Sequence, residues 1–368
     1  AETGVELVVA PELAVTGYPP RDLLLKSGFI EGNLEALKAL AQAVGKVGLV
    51  VGHVGLNTIQ PGRAATNAVS LLHQGKIVAT RTKTLLPTYD VFDEDRYFEP
   101  ATENIPVEFN GHQLGLTICE DLWNDEAFWK DRRYEANPVD TLVEQGAEII
   151  LNVSASPWNL GKELMRRDML ASLAAKARRP IVYCNAVGGN DELVFDGGSL
   201  VLNDAGEALA GGVHFGEQLL EVNLNGTAQP VPEPEEMQLL HDALVLGVRD
   251  YLAKCGFSSA VIGLSGGIDS AVTAALAVQA LGAENVRGIS MPSPYSSKGS
   301  LDDSKALAEN LGIQYDVISI HDGFKMMKTS LEPIFGDRPE DVAEENMQAR
   351  LRGLILMAVS NKFGSLVL

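Results

Sequence analysis

The stretch AVIGLSGGIDSAVTAAL, residues 260–276, decides the fold of the second half of this chain. Ala260-Val-Ile-Gly-Leu is a short apolar run of the strand type, Ser265-Gly266-Gly267 is a turn, and the alanine-rich residues after Ser270 read as a helix. Strand, glycine turn and helix in that order aim backbone N–H groups and a helix N-terminus at one anion, the arrangement that holds a phosphate. A GxxxxGK[ST] loop would carry a lysine that reaches terminal phosphates, and this turn has none. It carries Asp269 instead. A carboxylate beside a phosphate repels it unless a divalent cation bridges the two, which assigns Mg²⁺ to Asp269. The plain alternative is a turn whose glycines only permit tight packing.

The surroundings of the turn extend this pattern. A helix is expected over 237–254, strands over 286–291 and 313–320, and helices over 301–311 and 343–362. Strands alternating with helices of this length predict a parallel sheet with right-handed crossovers, a Rossmann-like α/β domain. Upstream, Gly226–Glu236 (GTAQPVPEPEE) has three prolines at alternate positions and reads as an extended, semi-rigid linker. The division is therefore residues 1–225, linker 226–236 and residues 237–368.

Residues 1–225 also alternate strands and helices, with strands expected over 5–10, 47–54, 65–72, 76–82, 114–118, 148–153 and 181–185, helices over 31–44 and 162–178, and residues 138–145 leading by a short turn into the strand at 148–153. A β-ribbon around His73-Gln-Gly and a hairpin at SLVLNDAGEALAGG predict a mixed sheet rather than a purely parallel one. Three reactive side chains follow extended runs: Glu12 after VELVVAP, Lys83 after KIVATRT and Cys119 after LGLTI. If those strands lie side by side in one sheet, the three side chains converge at one edge. A cysteine nucleophile needs a base for its proton and a cation or donor for the oxyanion, roles that Glu12 and Lys83 can fill. Taken singly, a cysteine after an apolar run is ordinary packing, and charged residues at strand ends are ordinarily solvated.

Composition narrows the function classes. A chain of 368 residues with 46% hydrophobic content, 36 glycines and 17 prolines has enough material for two packed α/β domains. Its net charge of −20 argues against nucleic acid as the main partner, because binding that polyanion takes clustered lysine and arginine. Three cysteines in no CxxC spacing predict neither a disulfide framework nor a zinc site, and point to a reducing, cytoplasmic setting. No apolar run approaches the roughly 20 residues that span a bilayer, so no membrane partner is expected. Both ends, AETGVELVV and FGSLVL, read as cuts within elements.

The turn SGGIDS resembles the pyrophosphate loop of the ATP-pyrophosphatase superfamily, whose members adenylate a carboxylate or carbonyl oxygen and then admit a nitrogen or sulfur nucleophile. In the first domain, VVAPELAVTGYPPRDLL, KTLLPTYDVFDEDRYF, LTICEDLW, NVSASPW and VGGNDELVFDGGS resemble the carbon–nitrogen hydrolase (nitrilase-type) glutaminases. That likeness implies an αββα sandwich, Glu12 as base, Lys83 as oxyanion cation and Cys119 as nucleophile. It implies glutamine contacts at Tyr89, Ser156 and Lys162, an acidic residue near the triad at Glu94, and Asp191 and Glu192 lining the pocket.

With MPSPYSS (291–297) and EENMQARLRGLILMAVSNKFG (344–364), the ordered set of motifs is similar to the glutamine-dependent NAD⁺ synthetase family. The resemblance implies a ligase that takes glutamine, ATP with Mg²⁺, and deamido-NAD⁺, with ammonia passing to the adenylate shielded from bulk water, and a homo-oligomeric assembly. ATP phosphates then fall on Gly263, Leu264, Ser265, Gly266, Gly267, Ile268, Asp269 and Ser270. Deamido-NAD⁺ falls on Asn346 and Arg350, which share a helix face at i, i+4. Met291 and Ser293, at a strand end, are placed for adenine contact, although Met291 reads equally as core. Family members carry a further strand and helix before VELVV and a TGNKSE-like segment after LVL, so the chain is expected to be C-terminally truncated. Two rival readings stay open: a glutaminase serving a different adenylating synthetase, and a nucleotide-binding module without turnover.

Overall fold

The computed structural model describes residues 4–293 and 297–368, so Pro294, Tyr295 and Ser296 of the MPSPYSS motif lie outside the described residues. The chain divides into two compact units, Ala1–Leu240 and His241–Leu368.

Unit 1 opens with β1 (Leu7–Val9), α1 (Phe29–Ala43), β2 (Gly48–Leu56), β3 (Ala65–His73) and β4 (Lys76–Thr82). It continues with β5 (Val107–Phe109), β6 (His112–Ile118), α2 (Pro138–Glu144), β7 (Ile149–Ser154), α3 (Lys162–Ala177) and β8 (Ile181–Asn185). Two hairpins, β9 (Val187–Asn190) with β10 (Leu193–Asp196) and β11 (Leu200–Leu202) with β12 (Ala208–Gly211), complete the unit. One sheet has the order β1-β2-β3-β4, and the other β12-β11-β8-β7-β6-β5. Both are mixed: β1 runs parallel to β2, and β6, β7 and β8 are parallel, while the remaining pairs are antiparallel.

The sheets face each other. Val50, Val69 and Leu71 of the first pack with Leu114, Leu116, Ile118, Leu151 and Val153 of the second in one dry core. Each outer face is covered by helix. Leu37 and Ala41, one turn apart on α1, bury against Val51 and Leu72. On the other side Val139 and Leu142 of α2 and Met169, Leu170, Leu173 and Ala174 of α3 bury against Ile150, Ile181 and Tyr183. Strands β6 and β7 are buried on both faces over most of their length, which is why they read as continuous runs rather than alternations. The result is an αββα sandwich.

Unit 2 follows α4 (Glu236–Lys254) with β13 (Ala260–Gly263), α5 (Ile268–Leu281), β14 (Val286–Ser290), α6 (Lys298–Leu311), β15 (Gln314–Val317), α7 (His321–Phe335), α8 (Val342–Phe363) and β16 (Leu366–Val367). The sheet order is β15-β14-β13-β16, and every pair is parallel. Ala274 and Ala277 of α5 are fully buried against Ile262, Leu264 and Val286, because alanines let the helix sit close on the sheet. On the opposite side, Leu351, Ile355, Leu356 and Val359 of α8 pack on Val261, Ile289 and Met291.

Two expectations need correction. The run at 313–320 is a strand only over Gln314–Val317 and then turns into α7, an amphipathic helix that the sequence reading left out. In unit 1, β1, β4 and β6 do not lie side by side in one sheet: β1 and β4 are opposite edges of one sheet, and β6 belongs to the facing sheet.

Candidate active site

Glycine at one position brings those separated strand ends together. The segment after β1 crosses β2 at Gly52, where Gly52 N–H donates to Pro11 O at 3.2 Å and Val15 N–H donates to Gly52 O at 3.3 Å. A Cβ at Gly52 would lie 2.4 Å from Leu13 N and 2.7 Å from Glu12 Cα, so only glycine admits the crossing. Glu12 is thereby carried past β2 to the end of β3 and β4. There Lys83 extends the strand ladder by one residue, its N–H donating to Asn67 O at 2.8 Å.

Lys83 is fully buried, and its Nζ donates to Glu12 Oε1 at 2.8 Å and to Glu94 Oε1 at 2.8 Å. Asn67 Nδ2 donates to the same Glu12 oxygen at 2.7 Å and reaches Glu94 Oε2 at 3.4 Å. The backbone N–H of Ala155, just past β7, donates to Glu12 Oε2 at 2.8 Å, and Tyr18 OH donates to Glu94 Oε1 at 2.7 Å. Burying charges is costly unless they are paired and hydrogen-bonded, and this cluster satisfies both conditions.

Cys119 opens the 3₁₀ turn Cys119–Leu122 after β6, buried and with a left-handed φ of 42°. A non-glycine residue rarely adopts that conformation, and such strain is kept where the surrounding structure fixes it. Asp121 does the fixing: its Oδ1 accepts from Thr84 N at 3.0 Å and Leu85 N at 2.9 Å, and its Oδ2 accepts from Ile118 N at 3.0 Å. One carboxylate thus clamps the cysteine turn to the chain that follows Lys83.

The electrostatics fit a neutral thiol at rest. Burial pushes the Cys119 thiol well up, Glu12 adds to that, and Lys83 opposes it. Burial alone would pull the Lys83 ammonium down, but Glu12 and Glu94 outweigh it and hold its pKa above the ordinary lysine value. Burial raises the Glu94 carboxyl against the pull of Lys83. Asp121 is pushed up to about 7 by burial, with its three backbone donors opposing.

The remaining residues expected around glutamine are placed as follows. Tyr89 donates to both oxygens of the buried Glu120, at 2.9 and 3.0 Å, and the Arg133 guanidinium lies 3.8 Å from its ring centre. Ser156 is buried, and its N–H donates to Asn185 Oδ1 at 2.9 Å. Lys162 Nζ donates to Pro157 O at 2.7 Å and sits 5.4 Å from the Trp123 ring centre, its pKa lowered by burial. Asp191 and Glu192 are exposed at the β9–β10 turn and pair with Arg21. Sequence reasoning missed Asn67, Tyr18, Glu120 and Asp121. The one signal for Asn67 was a polar residue inside the buried strand ATNAVSLLH, and Glu120 and Asp121 directly follow the cysteine.

In unit 2 the glycine turn is an exposed strand-to-helix loop. Gly266 has a φ of 79°, and a Cβ there would lie 2.6 Å from Ser300 O. Ser265 Oγ accepts from Gly267 N at 3.2 Å, and Ser270 Oγ donates to Gly267 O at 3.0 Å, so the hydroxyls brace the loop from within. Asp269 is exposed in the first turn of α5. Among the described residues no three His, Cys, Asp or Glu side chains converge as a metal site. One carboxylate together with substrate phosphates is nonetheless the donor set Mg²⁺ takes, so the loop fits a metal that arrives with the nucleotide. Asn346 and Arg350 are exposed on α8, one turn apart, and Met291 is buried in the core. Arg352 Nε donates to Met291 O at 3.1 Å.

Two facing sheets flanked by helices, with Glu12, Lys83, Glu94 and Cys119 gathered at one end, mark unit 1 as an amidohydrolase of the nitrilase type. The family description "Carbon-nitrogen hydrolase" matches residues 1–233, and "NAD synthase" matches residues 240–368. A glutamine-dependent NAD(+) synthetase of Synechocystis sp. is 46% identical over 384 residues, covering 99% of this chain and 67% of that protein. One from Thermotoga maritima is 39% identical over 406 residues, covering 100% of this chain and 68% of that protein. The solved structure of glutamine-dependent NAD+ synthetase from Acinetobacter baumannii in complex with ADP superposes with a TM-score of 0.90 at 36% identity, over 100% of this chain and 68% of that one. The chain spans about two thirds of the length of these relatives, and it belongs to the glutamine-dependent NAD⁺ synthetase family, ligases that form carbon–nitrogen bonds.

Proposed function

We propose that residues 1–225 hydrolyse L-glutamine at Cys119 and that residues 237–368 use the ammonia, with ATP, to convert deamido-NAD⁺ to NAD⁺. The observation that carries the first half is the buried Lys83 shared at 2.8 Å by Glu12 and Glu94 beside a strained cysteine turn. In this reading Glu12 takes the thiol proton as sulfur attacks the carboxamide carbon. Two N–H bonds of Lys83 are committed to carboxylates, and the third supports the developing oxyanion. The proton returns to the amide nitrogen, ammonia leaves, and a thioester remains. Glu12 then removes a proton from water as it attacks the thioester, which releases glutamate and restores the thiol. Tyr89, Ser156 and Lys162 hold the glutamine.

In residues 237–368, the N–H groups of Gly263–Ser270 hold the ATP phosphates at the start of α5, and Asn346 and Arg350 hold deamido-NAD⁺. Asp269 would hold Mg²⁺, which supplies charge neutralisation between the phosphates when bound. The nicotinate carboxylate displaces pyrophosphate from ATP to form the adenylate, and ammonia then displaces AMP. No helix among the described residues is long and apolar enough to cross a membrane. A cytoplasmic location and an assembly of identical chains belong to the same reading, the latter supported by Leu354 and Met357 exposed on α8.

The test uses the protein that carries this chain. Glutamine hydrolysis is followed as ammonia release, and pyrophosphate release from ATP is followed with and without deamido-NAD⁺. Cys119→Ala is expected to abolish the first while free ammonia still supports the second. Glutaminase activity that survives Cys119→Ala, or pyrophosphate release indifferent to deamido-NAD⁺, overturns the reading.

A further inference from the structure

The glutamate–lysine pair does not stand alone. Asn67, fully buried on β3, is the third member of the donor set on the two carboxylates, and nothing so far gives it a role. Each carboxylate oxygen accepts about two hydrogen bonds. Glu12 Oε1 already takes two, from Lys83 Nζ at 2.8 Å and Asn67 Nδ2 at 2.7 Å. Glu12 Oε2 takes one, from Ala155 N–H at 2.8 Å. Among the described residues, Oε2 alone of the two oxygens keeps an unengaged lone pair.

We propose that Asn67 is a positioning residue for glutamine hydrolysis: by filling Glu12 Oε1 alongside Lys83, it leaves Oε2 as the atom that takes the Cys119 proton. The inference rests on the reading of Glu12 as the base. In the proton step the Cys119 S–H bond breaks, an O–H bond forms at Glu12 Oε2, and the sulfur electron pair goes to the carboxamide carbon. Asn67 has a second effect. Its amide is an uncharged donor between two carboxylates that share a single ammonium, reaching Glu12 Oε1 at 2.7 Å and Glu94 Oε2 at 3.4 Å, so it holds the two side chains in register without adding charge. Without it, Oε1 as well as Oε2 would keep a lone pair open to the thiol proton.

The charged and titratable groups around Glu12 come from every neighbouring element. Lys83 follows β4, Glu94 lies in the 3₁₀ turn Glu94–Arg96, and Tyr18 lies on the loop after Glu12 itself. Cys119, Glu120 and Asp121 come from the turn after β6. Asn67→Leu changes none of these charges.

The experiment compares wild type, Asn67→Leu, Asn67→Ala and Ser70→Ala. Ser70 is equally buried on the same strand and bonds to His53 Nε2 at 2.7 Å and Thr80 Oγ1 at 2.7 Å, away from the triad. It reports what loss of a buried β3 hydrogen bond does to stability alone. Three readouts are taken: melting temperature, kcat and KM for glutamine against pH, and the pH dependence of Cys119 alkylation by iodoacetamide. The proposal expects both Asn67 variants to lose about tenfold or more in kcat with KM within about twofold. It also expects the acidic limb of kcat/KM and of alkylation to differ from wild type, because a hydrogen bond to the base is gone. Ser70→Ala should lower the melting temperature and leave both limbs in place. Asn67 variants that keep the wild-type limbs, or Ser70→Ala moving them equally, overturn the proposal. Alkylation separates it from the assignment of glutamine as substrate. If wild type does not hydrolyse glutamine but its alkylation limb still shifts in Asn67→Leu, the substrate reading fails and the positioning role stands.

Discussion

The two candidate sites solve opposite problems. The site of unit 1 is dry: a lysine, two glutamates and a cysteine are all buried, and each charge is satisfied by protein before any substrate arrives. The loop of unit 2 is open: Ser265 to Asp269 are exposed, and the donors offered are backbone N–H groups, with hydroxyls bracing the turn from inside. A proton transfer to a fixed atom profits from charges that cannot rearrange. A polyphosphate brings its own charge and needs only a cradle of dipoles that water keeps solvated until it binds. The difference has a consequence for stability. Changes that remove a buried charge of unit 1 should damage fold and chemistry together, and changes to the exposed polar side chains of the loop should damage chemistry alone.

The largest effect that tests this contrast is on rate. Cys119→Ala should lower glutamine hydrolysis by roughly a factor of 10⁴ or more, read as ammonia release, while the melting temperature changes little. Lys83→Met should show the coupling most sharply. It removes the ammonium shared by two buried carboxylates and is expected to cost about 3–5 kcal/mol of stability by denaturant titration, with hydrolysis lost as well. A Lys83→Met protein as stable as wild type would break the contrast.

The next effect is a pH dependence. The Asp121 carboxyl is pushed up to about 7 by burial against an ordinary aspartate value of 3.8, so between those values the native state binds the extra proton. The stability linked to Asp121 is therefore fully present below the unfolded pKa and is lost as pH rises through about 7. The loss amounts to something on the order of 4 kcal/mol. Asp121→Asn should flatten that decline in denaturant titrations run from pH 4 to pH 8, even though it weakens the clamp on the cysteine turn.

The smallest stability effects belong to the loop. Gly266→Ala puts a methyl group against Ser300 O in a left-handed backbone and should cost about 1–3 kcal/mol, with ATP affinity falling more than the melting temperature does. Asp269→Asn, at an exposed position, should leave stability within about 0.5 kcal/mol while lowering ATP-dependent pyrophosphate release and its response to Mg²⁺. A large stability loss in Asp269→Asn would show that the loop is not the open cradle described.

Much of this was legible in the chain itself. Apolar runs bounded by turns located the strands around Leu116 and Leu151, because strands buried on both faces carry few charged positions to disguise them. Gly266, Gly267 and Asp269 marked the strand-to-helix turn before α5, because a turn is local and its residues are adjacent. Helix α7 escaped because its apolar positions follow directly on a strand-like run, and nothing local marks where one period ends and the other begins.

What sequence determined by itself was that Glu12, Lys83 and Cys119 each follow the end of an extended run. What only the tertiary structure decided was how they meet. Convergence of β1, β4 and β6 depends on Gly52 having no side chain where Pro11–Leu13 crosses β2, and on a second sheet facing the first. The supporting cast of Asn67, Tyr18 and Asp121 is likewise tertiary, because Asn67 bonds to Glu12 across 55 positions and Tyr18 to Glu94 across 76. Contacts at that separation leave no local period or turn signal; they arise only when burial forces each charge to find a partner.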